Sequence, residues 1–168
     1  HNFVTDNLVR GCYRHGYPVD LSLIDSSVVS AGLRPGEYFT YEDWMRVIPY
    51  ANTVEIFKIS GKDLYYLIAD NARRIDLPSE AHEDRGFLYF SKEIRYNIKL
   101  NSARSRIQAD TIQVNGEPIE RLGEKTFWVA TTNFFRVLAR RWEERAKNEF
   151  PIYIFEPVHA EGLDTGLY

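Results

Sequence analysis

The sequence lacks most of the features that would place it in a specialised structural class. It contains one cysteine, Cys12, and can therefore form neither an internal disulfide nor a zinc site built from cysteines. No stretch approaches the roughly 18 consecutive apolar residues that a membrane-spanning helix needs. The formal net charge of -3 gives the chain no general attraction to nucleic acid or to anionic lipid. We therefore expect no membrane span and no nucleic-acid partner.

Apolar and aromatic residues are abundant enough to build a core. Of the 168 residues, 44% are hydrophobic and 14% are aromatic, which excludes an intrinsically disordered chain. This length suits one domain, and we expect a single domain over residues 1–168. The chain opens at His1-Asn2-Phe3 without a methionine, and its first residues already have the pattern of a helix interior. We therefore expect the chain to be a piece of a longer protein.

Several segments have the periodicity or the terminal residues of helices. Val4, Leu8 and Cys12 recur every four positions and predict an amphipathic helix with these side chains on its apolar face. A hydroxyl followed three residues later by an acid is typical of a helix start. Two segments have this pattern: Thr40 to Asp43 and Ser60 to Asp63.

Alternating and β-branched segments predict strands between the helices. Asn115-Gly116, between apolar pairs, favours a tight hairpin in which both turn residues take positive φ. Residues 76–86 are polar and predict a surface loop. The predicted strands cover residues 19–24, 54–59, two runs within 87–100, 126–131 and an edge strand over 152–155. The pattern as a whole predicts an α+β fold, a mixed β-sheet with packed helices.

Residues 133–150 predict a long charged helix. Five basic residues in it are interleaved with acids at helical spacing, which is typical of a solvated face with ion pairs rather than of a nucleic-acid surface. These basic residues are Arg136, Arg140, Arg141, Arg145 and Lys147.

The sequence contains no motif for catalysis or for metal binding. Its four histidines have no ligand spacing, and it has no G-x-S-x-G, P-loop or G-x-G-x-x-G segment. Cys12 lies on the apolar stripe of the first helix, so a buried structural role is favoured over a reactive thiol. We therefore predict no catalytic residue, no bound metal and no cofactor in this chain.

Two aromatic residues are better candidates for function. Tyr50 follows Ile48-Pro49, and Phe134 follows Asn133 at a strand-to-helix junction. Both have loop-like flanks, from which a ring can face a cleft, although packing into the core is the alternative. A flat ligand stacked on aromatic rings gains roughly 1–3 kcal/mol per stacked base.

The order of these segments resembles the C-terminal domain of the 5′-nucleotidase family, which includes UDP-sugar hydrolases and cyclic-nucleotide phosphodiesterases. Residues 2–8 are similar to the opening helix of the family, and residues 20–25 are similar to the strand that precedes its N-x-G-G-I-R loop. Residues 36–52 are similar to the segment that ends in P-F-x-N. Further matches are residues 54–64, 112–119 and 126–133. The resemblance covers about residues 2–135.

This resemblance implies a division of labour between two domains. In the family, an N-terminal metallophosphoesterase domain carries two divalent metal ions, and the C-terminal domain holds the nucleoside. The chain would then be the substrate-recognition part of a metal-dependent phosphoester hydrolase whose catalytic domain lies upstream. Its partners would be a nucleotide or nucleoside-like molecule and that N-terminal domain. By analogy with the family, the protein would be periplasmic, extracellular or held at the cell surface.

The resemblance also implies roles for four residues. Tyr50 and Phe134 match the two aromatics that sandwich the base, whereas Asp25 matches a loop asparagine that contacts substrate. Asp25 has a second possible role as the cap of a turn. Ser30 stands where the family has a phosphate-binding arginine, and the later G-G-D-G segment has no counterpart after Phe134. These departures leave a second hypothesis open, a degenerate domain that binds or scaffolds without supporting turnover.

Overall fold

The computed structural model describes residues 2–32, 36, 38–72, 87–100, 105–107, 111–135 and 156–157. Within this part of the chain there are three helices of four residues or more: α1 (Asn2–Arg14), α2 (Tyr41–Val47) and α3 (Gly61–Ala72). The strands are β1 (Leu21–Asp25), β2 (Val54–Ser60), β3 (Leu88–Phe90), β4 (Ile94–Arg95), β5 (Ile98–Leu100), β6 (Ser105–Ile107), β7 (Gln113–Val114), β8 (Glu117–Pro118), β9 (Thr126–Thr132) and β10 (Glu156–Pro157).

A five-stranded mixed sheet forms the centre of the fold, in the order β10-β2-β9-β1-β3. β9 lies between β2, to which it is antiparallel, and β1, to which it is parallel. The smaller groups are β4-β7-β8 and β5-β6. The predicted α+β class, with a mixed sheet and packed helices, is confirmed.

The two faces of this sheet pack against different helices. Alternate residues of β1 and β9, such as Leu23 and Val129, pack with Leu64 and Leu67 of α3 in the main apolar core. Ala130 faces the other way and packs with α1. Odd-numbered and even-numbered residues of β1 and β9 therefore lie on opposite faces of the sheet.

α1 buries Cys12, as its periodicity predicts, but the rest of the predicted apolar stripe is less buried than expected. Its buried residues are Thr5, Val9 and Cys12, whereas Val4 and Leu8 are only half-buried. Thr5 has two contacts with the sheet: its backbone carbonyl accepts from the Ser22 hydroxyl at 2.7 Å, and its own hydroxyl donates to the Phe90 carbonyl at 3.3 Å. A polar side chain whose hydrogen bonds are satisfied can therefore occupy part of the buried face of α1.

Several local predictions agree with the structure. α2 has a complete capping box between Thr40 and Asp43, and Asn115 and Gly116 have φ values of 53° and 82°.

The segment 87–100 contains three short strands rather than two runs. The predicted loop 76–86, the edge strand 152–155 and the predicted helix 133–150 beyond Phe135 lie outside the described residues. At the sheet edge beside β2, the structure has β10 at Glu156–Pro157.

Candidate functional site

The candidate site lies at one edge of the central sheet, where three strands meet. β1 and β9 are parallel, so both end at this edge, and the antiparallel β2 begins there. The backbone N–H of Asn133, just after β9, donates to the carbonyl of Thr53, just before β2, at 3.0 Å. This hydrogen bond joins the two segments that carry Phe134 and Tyr50.

Both predicted stacking rings are accessible to a ligand. Tyr50 is 60% exposed and Phe134 is 38% exposed. The next residue, Phe135, is only 1% exposed and packs edge-on to Phe57, with ring centroids 6.3 Å apart. Of the two adjacent phenylalanines after β9, one ring thus lies in the core and the other at the surface. Stacking of a ligand between Tyr50 and Phe134 remains a prediction.

Asp25 is the last residue of β1, and its carboxyl group caps the short 3-10 helix Ser26–Val28. Its Oδ1 accepts from the backbone N–H of Ser27 at 2.8 Å and from the Ser27 hydroxyl at 2.5 Å. Of the two roles that the sequence left open, the turn cap is therefore present in the structure. Asp25 is only 3% exposed. A ligand would therefore have to enter between the strand ends at this edge of the sheet to reach its carboxylate.

Ser30 lies in the loop that follows β1, and its side chain is exposed. Its backbone N–H donates to the carbonyl of Val47, the last residue of α2, at 2.8 Å. The loop after β1 is thereby connected to the helix that leads to Tyr50. A serine hydroxyl at this position cannot provide the bidentate, charged contact that an arginine makes with phosphate.

Sequence reasoning missed Thr131, which lies at the same edge and is fully buried. Within the described part of the chain, the Thr131 hydroxyl and the Oδ2 atom of Asp25 have no hydrogen-bond partner. Both residues are on the sheet face that packs with α3, because Asp25 alternates with Leu23 and Thr131 with Val129. Threonine is an ordinary strand residue, so nothing in the sequence pattern marks it.

The described residues contain no set of ligands for a metal. No group of three or more His, Cys, Asp or Glu side chains among them could hold an ion. Burial raises the pKa of the Cys12 thiol, which disfavours the nucleophilic thiolate. In the same part of the chain, no helix is long and apolar enough to cross a bilayer.

Comparisons with known proteins agree with this architecture. The family described as "5′-nucleotidase, C-terminal domain" matches residues 1–139. No curated protein sequence matches the chain closely enough to count as a relative.

Solved structures of similar fold include three bacterial proteins. A 5′-nucleotidase precursor from Thermus thermophilus superposes with a TM-score of 0.55 at 21% identity, covering 80% of this chain and 25% of its own. The NAD nucleotidase of Haemophilus influenzae has a TM-score of 0.53 at 20% identity, covering 86% of this chain and 24% of its own.

The third structure is a putative 5′-nucleotidase from Staphylococcus aureus in complex with alpha-ketoglutarate, with a TM-score of 0.60 at 16% identity. That match covers 94% of this chain and 29% of the Staphylococcus protein. The chain thus spans only 24–29% of the length of these three proteins, and at such identities the likeness concerns the fold. Because the family match extends over residues 1–139, the chain belongs to the 5′-nucleotidase C-terminal domain family.

Proposed function

We propose that this chain is the substrate-recognition part of a nucleotidase-like, metal-dependent phosphoester hydrolase and that it stacks a base or similar flat group between Tyr50 and Phe134. The observation that carries the proposal is the exposure of these two rings on segments joined by the Asn133–Thr53 hydrogen bond. Contiguous apolar patches on a protein surface commonly mark the binding site of a partner or a ligand.

The polar groups around the rings suit an uncharged edge of the ligand. Ser30 offers an exposed hydroxyl, and Asp25 offers a carboxylate oxygen that has no partner in the described chain. Neither supplies a positive charge for a phosphate. In this proposal the chain binds the base side of the substrate, and the phosphate is held elsewhere in the whole protein.

The metal ions and the bond-breaking step belong to a different part of the protein. In this proposal the chain contributes the position of the substrate. The bound metals of the catalytic domain would polarise the phosphate and activate water. By analogy with the family, we place the protein outside the cytoplasm or at the cell surface.

Binding of a nucleoside to the purified chain tests the stacking. We expect Tyr50→Ala and Phe134→Ala each to weaken binding by about tenfold or more, because one stacked ring is worth roughly 1–3 kcal/mol. Calorimetric titration with adenosine and uridine measures the effect, and circular dichroism checks that each variant is folded.

Two variants serve as controls. Tyr50→Phe keeps the ring and should keep the affinity, whereas Phe3→Ala removes a ring of similar exposure, 64% against 60%, from α1. Unchanged nucleoside affinity in both folded alanine variants would refute the stacking role.

A non-catalytic binding module is the second candidate function. Ser30 in place of arginine and the missing G-G-D-G segment favour it. The sequence that precedes this chain distinguishes the two: the motifs D-x-H, G-N-H-(D/E) and G-H-x-H would supply the metal ligands. Their absence would leave binding as the function.

A further inference from the structure

A cavity of about 430 Å³ lies on the sheet face that packs with α1, near the amino ends of β1 and β9. Its walls include three aromatic rings, one carboxylate and two aliphatic side chains: Tyr13, Tyr17, Trp128, Asp20, Val19 and Ile56. This volume is within the range of roughly 300–1,000 Å³ of small-molecule sites. None of these residues belongs to the edge that carries Tyr50 and Phe134.

The rings of this cavity are accessible, and one of them already contacts a cation. Tyr13 is 58% exposed and Trp128 is 37% exposed. The ammonium group of Lys58 lies 4.6 Å from the centre of the Trp128 ring, inside the roughly 6 Å limit of cation–π attraction. Lys58 itself is exposed and has a flexible stem, so its head group can move into solvent when another cation takes its place.

Asp20 is the only charged residue among the described residues that line the cavity. Two hydrogen bonds hold it beside Trp128. The backbone N–H of Asp20 donates to the backbone carbonyl of Trp128 at 2.8 Å, and the backbone N–H of Trp128 donates to Asp20 Oδ2 at 2.7 Å. Its negative charge is therefore fixed next to the largest ring. This charge offsets the repulsion that Lys58 would exert on a bound cation.

We infer that this cavity binds a small quaternary ammonium compound, with its cationic head among Tyr13, Tyr17 and Trp128 and beside the Asp20 carboxylate. Aromatic faces with a nearby carboxylate suit such a group, because it carries charge but an apolar, methylated surface. It needs no hydrogen-bond acceptor and thus fits a cavity whose walls are mostly apolar.

Titration with choline tests the inference, and a carbon analogue of choline is the matched control. In this analogue a tert-butyl group replaces the trimethylammonium group, so shape is kept and charge is lost. The chain has three tryptophans, so the indole N–H signal of Trp128 can be assigned by substitution and followed by NMR. We expect a saturable shift with choline and about tenfold weaker binding of the uncharged analogue. Equal binding of the two would show a plain apolar cavity, and the absence of a choline shift would show no site; either result overturns the inference.

Three variants localise the binding. Asp20→Asn removes the charge but keeps an oxygen that can accept from the backbone N–H of Trp128. This variant should weaken choline binding severalfold. Trp128→Leu should abolish the binding heat in calorimetry, whereas Trp44→Leu, which removes an indole from α2, should leave it unchanged. Choline affinity that survives both Asp20→Asn and Trp128→Leu overturns the inference.

Discussion

Gly61 is the first residue of α3 and lies directly against the backbone that precedes β9. A Cβ atom at this position would lie 1.9 Å from the carbonyl oxygen of Leu122. The Gly61 N–H also donates to the carbonyl of Lys125 at 2.8 Å. Because both neighbours are backbone atoms, no side-chain rotation can make room for a methyl group.

We therefore expect Gly61→Ala to lower the free energy of unfolding by about 3 kcal/mol, since backbone has to shift to accommodate the added atom. Urea unfolding followed by circular dichroism measures the loss. Gly11→Ala is the matched control, because Gly11 is also in a helix and a Cβ there would have no neighbour within 4 Å. A loss below about 1 kcal/mol for Gly61→Ala would mean that the Leu122 backbone moves easily.

Single residues also show how far sequence reasoning reaches at this scale. Tyr50 and Phe134 are exposed, but their loop-like flanks did not decide between a cleft and the core, and the expectation that they face a ligand came from the family resemblance. Two features could not be expected, because each depends on residues distant in the sequence: the burial of Asp25, and the Thr131 hydroxyl that has no hydrogen-bond partner among the described residues. The cavity beside Trp128 was missed for the same reason: in the sequence this tryptophan is one residue of an alternating strand.

At the scale of elements, the start of α2 depends on side chains that lie within one turn of it. The Thr40 hydroxyl accepts from the Asp43 N–H at 3.1 Å, and the Asp43 carboxylate accepts from the Thr40 N–H at 3.0 Å. These two bonds satisfy backbone donors that the first turn of any helix leaves without partners. The helix they begin leads to the segment that carries Tyr50, and Ser30 contacts its last residue.

Replacement of Thr40 by alanine should cost about 1 kcal/mol of folding free energy, the usual value of a lost N-terminal cap. Chemical unfolding of the variant measures this value. Glu42→Ala in the same turn is the control, because its ion pair with Arg46 is exposed and such pairs contribute about 0.5 kcal/mol. Equal losses in the two variants would contradict a specific role for the capping box.

Local sequence signals predicted single helices and turns, whereas the pairing of distant strands could not be predicted. The capping box and the Asn115-Gly116 hairpin act within a few residues, so their chemistry is complete in the sequence. The strand order β10-β2-β9-β1-β3 cannot be read from the sequence in this way. Leu21 pairs with Val129, and no local periodicity connects positions so far apart. The burial of Thr5 on α1 could not be predicted for a similar reason, because its partners are Ser22 of β1 and Phe90 of β3.

At the scale of the whole molecule, recognition and catalysis are expected to reside on different parts of the polypeptide. The described residues offer exposed rings and hydrogen-bonding groups but no metal-ligand cluster. The chain also covers only 24–29% of the length of three solved structures that share its fold. The rest of such a protein would supply the reaction.

The purified 168-residue chain should therefore show no hydrolysis of nucleoside monophosphates, cyclic nucleotides or UDP-sugars, even with added divalent metal ions. A phosphate-release assay with manganese, and then with a chelator, measures this. The matched positive control is the proposed two-domain protein, this chain together with the catalytic domain expected upstream. Turnover by the chain that persists through repurification and chelation would contradict the proposed division of labour.

The position of β9 also has a consequence for how the protein is made. β1 and β2 leave the ribosome early, but the strand that joins them, Thr126–Thr132, is translated more than sixty residues after β2 ends. Until then the nascent chain holds two apolar strands with open edges, a state prone to wrong pairing. The central sheet can close only after Thr126–Thr132 has been synthesised, and a chain truncated before Thr126 would lack the strand that joins β1 and β2.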